Sequence, residues 1–95
     1  MYSEYKCRDF KIRVEDFNGQ KVLHCEVYRY TPKVKKAIKE QVDFLAELGK
    51  DMGLYALYTA TPNPKFAKLM GFTEHVDTVY PDGVRHEVMK LWLNT

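Results

Sequence analysis

The sequence predicts a single α/β domain on a mixed, mostly antiparallel sheet, with elements in the order β-β-α-β-α-β-β. Three observations predict it. Asn18-Gly19 sits between two runs of alternating apolar residues, the strongest short signal for a β-hairpin. From Val34 to Leu48 the apolar residues recur at helical spacing. Pro81-Asp82-Gly83 marks a second tight turn near the end of the chain. At 95 residues there is room for one modest core and not two, so residues 1–95 are read as one domain.

Residues 1–8 are polar and aromatic without a clear period and read as a loose lead-in. Phe10, Ile12 and Val14 alternate with Lys11, Arg13 and Glu15, the pattern of a half-buried strand. Setting Phe17 opposite Gln20 across the turn places Val14 against Leu23, Ile12 against Cys25 and Phe10 against Val27. The same register puts Lys11 opposite Glu26 and Arg13 opposite His24. One face is then apolar and the other carries an opposite-charge pair, so the register is self-consistent.

The second strand runs into the long helix through Thr31-Pro32. Thr31 is an N-cap residue type, Pro32 suits the first helical position, and Gly49 reads as the C-terminal cap of a 32–48 helix. Residues 54–60 follow as a short apolar and aromatic strand, expected to lie parallel to the strand before the helix through a right-handed crossover. Asn63-Pro64 opens a short helix closed by Gly71. In the final hairpin, Tyr80 opposite Val84 places Val76 against Val88, Glu74 against Lys90 and Phe72 against Trp92.

Composition excludes more than it assigns. A formal net charge of +2 is too slight to imply nucleic-acid binding, so no nucleic-acid partner is expected. No apolar run approaches a membrane span, and the N-terminus is not a signal peptide, which makes the cytoplasm the expected location and a membrane role unexpected. Cys7, Cys25, His24, His75 and His86 lack the close spacing of a metal site, and Cys25 reads as a lone buried thiol. One stretch has two readings. Lys33, Lys35 and Lys36 crowd the first turn of the long helix, where the dipole disfavours cations. They are either a solvated face with i,i+4 pairs such as Lys39–Asp43, or an anion site at a helix N-terminus.

The element order, together with Asn63-Pro64-Lys65-Phe66-Ala67-Lys68-Leu69-Met70-Gly71-Phe72 and the closing strand Val88-Met89-Lys90-Leu91-Trp92-Leu93, resembles the GNAT superfamily of acyl-CoA-dependent N-acyltransferases. The resemblance covers about residues 9–94. It implies a GNAT-like fold, acetyl-CoA as cofactor, and transfer of an acetyl group to an amine. Two departures stand out. The family's glycine-rich pyrophosphate turn falls on Tyr30-Thr31-Pro32-Lys33-Val34-Lys35, with lysine in both glycine positions, and its tyrosine general acid falls on Ala67. The family's N-terminal strand and helices have no counterpart before residue 9, which resembles small GNAT-like proteins of bacteriophages.

Carried onto this sequence, the resemblance makes Glu26 the candidate general base and Tyr58 a substitute phenol. Val27, Tyr28, Lys33, Val34, Lys35, Lys36, Asn63 and Lys68 become the candidate cofactor contacts. Each also has a structural reading: Glu26 pairs with Lys11, the tyrosines are half-exposed sheet residues, Asn63 is a helix cap, and the lysines are solvated. Two functions remain open, a minimal acetyltransferase and a non-catalytic GNAT-like protein that binds a protein partner as inhibitor or structural accessory, with nucleic-acid binding through the lysine face as the remainder. A homodimer is expected if one sheet face is left uncovered.

Overall fold

The computed structural model describes residues 4–93. Six strands and two helices follow one another as β1 (Glu4–Lys6), β2 (Phe10–Phe17), β3 (Gln20–Val27), α1 (Pro32–Asp51), β4 (Ala56–Thr61), α2 (Pro64–Leu69), β5 (Glu74–Val79) and β6 (His86–Trp92). The strands form one sheet in the order β1-β2-β3-β4-β6-β5, in which β3 and β4 are the parallel pair and every other neighbour is antiparallel.

The first hairpin has the expected register from Phe17↔Gln20 to Phe10↔Val27. Asn18 and Gly19 both hold positive φ, 51° and 79°, the backbone a two-residue turn needs to match strand twist. The lead-in differs from expectation over residues 4–6, which form β1 and extend the sheet, with Tyr5↔Ile12 in register and the Tyr5 ring 5.7 Å from Phe10. Three residues are too few for a period-two signal. The rest of that reading, residues 1–3, lies outside the described residues.

Helix α1 opens as predicted, with Thr31 Oγ1 accepting from the Val34 N–H at 3.1 Å. It does not end at Gly49. It runs on to Asp51, and Gly53 takes the left-handed position at φ 78°. Leu54 N–H then donates to Gly49 C=O and Gly53 N–H to Lys50 C=O, which satisfies the last carbonyls in a Schellman motif. Gly49 instead packs inside the helix, where an added Cβ would stand 2.8 Å from Leu93 Cδ1. The strand after it starts at Ala56, two residues later than read, because Leu54 and Tyr55 serve that cap and the turn.

The last hairpin keeps Glu74↔Lys90 but not Val76↔Val88. A bulge at Val76 moves Asp77 opposite Val88, and Phe72 is buried ahead of the strand and is not paired with Trp92. One extra residue in β5 accounts for the shift.

Both helices cover one face of the sheet. Val34, Ile38, Val42 and Leu45 of α1 and Ala67 and Met70 at α2 share a core with Phe10, Ile12, Leu23, Leu57 and Met89. The registers place those strand residues on one side. Lys11, Arg13, His24, Glu26, Tyr58, Lys90 and Trp92 fall on the other, which neither helix covers. Among the described residues, no helix is long and apolar enough to cross a membrane.

Candidate functional site

The parallel contact between β3 and β4 is short. Only Val22↔Tyr58 and Leu23↔Thr59 pair, and beyond them the strands part. The Thr59 hydroxyl donates to the Leu23 carbonyl at 2.8 Å, so a side chain shares that acceptor with the last ladder bond. Pro62, just past the end of β4, has no N–H to resume the ladder. The gap is a cleft of about 270 Å³ through the sheet. Its floor is Ile38, Val42 and Met70 from the helical layer, and Arg13, His24, Glu26 and His86 stand around it from the strands.

The ladder decides which backbone groups face this cleft. In the β2–β3 hairpin, hydrogen-bonded and non-bonded pairs alternate outward from Phe17↔Gln20. Tyr28 N–H donating to Asp9 C=O at 2.8 Å fits that alternation. Leu23, Cys25 and Val27 therefore turn their backbone groups away from β2 and toward the gap. On β4, Leu93 N–H donating to Tyr55 C=O fixes the phase, and Ala60 turns its groups toward β3, its N–H completing the Leu23↔Thr59 pairing and its C=O meeting the gap. The cleft thus offers free strand-edge amides on the β3 wall and carbonyls on both walls, the arrangement that receives an extended chain.

Glu26 lines the cleft, and its Oε2 accepts from Tyr28 Oη at 3.2 Å. Lys11 lies opposite Glu26 in register, but its ion pair is with Glu4 at 3.4 Å, so Glu26 is not held by that lysine. Desolvation first, then the hydrogen bond to Glu26, raises the Tyr28 phenol above its ordinary value. The Cys25 reading is corrected. Its residue surface is exposed, and it lines the cleft instead of the core, because the strands part where α1 would have covered it. Neighbouring atoms still crowd the sulfur enough for desolvation to push the thiol up to about 11, with the Glu26 charge adding to it.

The other candidates are spread out. Tyr58 lies on the uncovered face with the Lys90 ammonium 5.6 Å from its ring, outside the cleft. Val34 is buried and its N–H is capped by Thr31. Pro32 has no N–H and Lys35 N–H donates to Thr31 C=O, which leaves Lys33 N–H as the free amide of the first turn. Lys33 borders a second hollow of about 390 Å³ with Arg8 and Arg29. Asn63 is a helix cap, its Oδ1 accepting from Phe66 N–H at 3.3 Å. Lys36 and Lys68 are exposed. Tyr30 and Phe66 meet edge to face at 5.9 Å, joining the start of α1 to α2.

Sequence reasoning missed two features. Thr59 and Thr61 line the cleft, and their only signal was two hydroxyls inside an otherwise apolar strand. Glu87 was also missed. It accepts from Thr78 Oγ1 at 2.7 Å and from Arg85 Nε at 2.6 Å, and its Oε2 lies 2.6 Å from His75 Nε2. Those bonds, Thr78 first, then Arg85 and His75, hold its carboxyl down at about 2. The bulge that brings Thr78 opposite Glu87 hid this cluster. Among the described residues, no three His, Cys, Asp or Glu side chains are grouped to hold a metal ion.

No protein-family model matches the sequence, and no curated protein matches it by sequence comparison. A solved structure does match in fold. A Bordetella pertussis protein, provisionally described as a GnaT-family acetyltransferase, superposes with a TM-score of 0.65 at 13% identity, covering 87% of this chain. The match spans 57% of that protein's length. The fold is GNAT-like.

Proposed function

We propose that the β3–β4 cleft receives the pantetheine arm of an acyl thioester such as acetyl-CoA and that the acetyl group passes to an amine at the cleft mouth. The observation that carries this reading is the parting of β3 and β4. Free backbone groups at Cys25 and Val27 and the Ala60 carbonyl match the amides of an extended arm, over a floor that is apolar. The diphosphate end has no such match. A backbone cradle needs several free amides without side-chain bulk, and the first turn of α1 offers Lys33 N–H alone. Side-chain cations, Lys33 and Lys35 among them, are what remain there.

The thioester, when bound, supplies an activated carbonyl. The chain's own part is positioning and charge. Val27 N–H, turned into the cleft, is placed to donate to a carbonyl oxygen as it gains charge. Glu26, with one oxygen engaged by Tyr28, has its other oxygen for the proton of an attacking amine, directly or through water.

Binding is tested by thermal shift, since a ligand specific to the native state must raise the melting temperature. S-acetyl-pantetheine and acetyl-CoA are both expected to raise it, to a similar degree, because the arm carries the affinity. No shift with either ends the proposal. A second reading, a non-catalytic GNAT-like protein that binds a protein partner, is favoured by the placement of Tyr58 outside the cleft and by Tyr28 N–H being committed to Asp9. In that case the shift persists and no acetylated amine forms. In the catalytic case Glu26→Gln keeps the shift and loses turnover. Self-association through the uncovered sheet face is a further proposal, read from sedimentation over a concentration series.

A further inference from the structure

The fold segregates charge in a way the net charge conceals. No Asp or Glu occurs between Glu26 and Glu40, nor between Asp51 and Glu74. Those two stretches hold Arg29, Lys33, Lys35, Lys36, Lys39, Lys65 and Lys68, seven of the fifteen cations and none of the thirteen acids. Remote in sequence, they meet at the Tyr30–Phe66 contact. Lys39 pairs with Asp43. Among the described residues, the other six have no carboxylate at ion-pair distance; of the eight cations elsewhere, Arg8, Lys11, Lys21, Lys50 and Arg85 are paired and Lys6, Arg13 and Lys90 are not. One large ring, Tyr30, stands 53% exposed where the two stretches meet.

We propose that this rim, from Arg29 and Lys33 across Tyr30 to Lys65 and Lys68, binds single-stranded nucleic acid. A row of unneutralised cations costs self-repulsion in the free protein and is offset by a polyanion. A flexible phosphate backbone can follow cations set on two separate helices, and the exposed Tyr30 ring offers a face on which an unpaired base stacks. An acidic polypeptide would use the cations and leave that ring without a role. The inference shares Lys33 with the diphosphate end proposed for the cleft ligand but needs none of the cleft's chemistry.

The test is fluorescence anisotropy of a labelled oligothymidylate of about 20 nucleotides with the intact chain. Between about 50 and about 200 mM salt, log affinity is expected to fall with a slope of about −3 to −4, as for four to six neutralised phosphates on a single strand. The exposed pair Lys65→Gln/Lys68→Gln should weaken binding about tenfold and reduce the slope by about 1.4, while Lys50→Gln at the far end of α1 changes neither. Tyr30→Ala should weaken binding about fivefold or more with the slope unchanged. Melting temperatures of the variants confirm that each is folded. Three results overturn the proposal: no binding at the lower salt, a slope indifferent to the two lysines, or competition by polyglutamate as strong as by the oligonucleotide with Tyr30→Ala without effect. The last would assign the rim to an acidic protein instead.

Discussion

Cys25 shows how a side chain's surroundings set its chemistry. A thiol held up at about 11 is almost wholly protonated at pH 8, and the thiolate is the nucleophile. In a Cys7→Ser background, alkylation of Cys25 by iodoacetamide at that pH is expected to be about ten- to a hundredfold slower than for an ordinary exposed thiol. S-acetyl-pantetheine should slow it further by filling the cleft. Rapid alkylation indifferent to ligand would place the sulfur outside the cleft. Glu87 gives the opposite case. Its carboxyl is ionised in the fold down to about 2, against 4.5 when unconstrained. A depressed carboxyl stabilises the fold above its unfolded value, and that contribution is lost as pH falls from about 4.5 to about 2. The melting temperature of Glu87→Gln should therefore lie below that of the parent at pH 6 and converge with it across that acid window. A gap that stays constant with pH would show that the Thr78, Arg85 and His75 bonds are worth the same to a neutral side chain.

Elements are bounded here by their caps more than by their apolar stripes. Gly49 and Gly53 both suit a helix end by residue type, and Gly53 ends α1 because the Leu54 and Gly53 N–H groups can reach the last free carbonyls from there. Gly53→Ala places a Cβ in open space but at φ 78°, and is expected to cost about 1 kcal/mol in urea unfolding. Unchanged stability would mean that the left-handed cap is not needed. The strand after α1 follows the same logic, starting at Ala56 once Leu54 is used by the motif. Asn18-Gly19 and Thr31-Pro32 left no such choice, and both were read correctly from sequence.

On the scale of the whole molecule, the sheet is two antiparallel ladders joined by a parallel seam two residues long. That seam makes the cleft, and it predicts an uneven pattern of amide exchange. Cys25 and Val27 lie within β3 yet have no ladder partner on the cleft side, so their amides should exchange fast for strand residues. Thr59 and Met89, bonded to each other across β4 and β6, should be among the slowest. Acetyl-CoA or its pantetheine fragment is expected to slow the first group alone. Uniform protection along β3 and β4 would mean that the strands do not part.

Much of the fold was legible in the sequence because its signals are local. Asn18-Gly19 fixed the first hairpin register, the spacing from Val34 to Leu48 fixed the inner face of α1, and Thr31 and Asn63 named their own helix starts. The site was legible in part. Glu26 could be placed on the right strand, but whether Lys11 held it depended on β1, whose three residues carry no period. Cys25 continued an apolar alternation and so read as core; that β3 leaves β4 just before it is set by Thr59, Pro62 and the packing of α2, all remote in sequence. The cluster at Glu87 waited on a one-residue bulge, and the cationic rim on two acid-free stretches meeting at Tyr30 and Phe66. Local hydrogen bonding and periodicity are written in neighbouring residues, whereas a gap between strands or a shared field of charge exists only once distant segments are packed together.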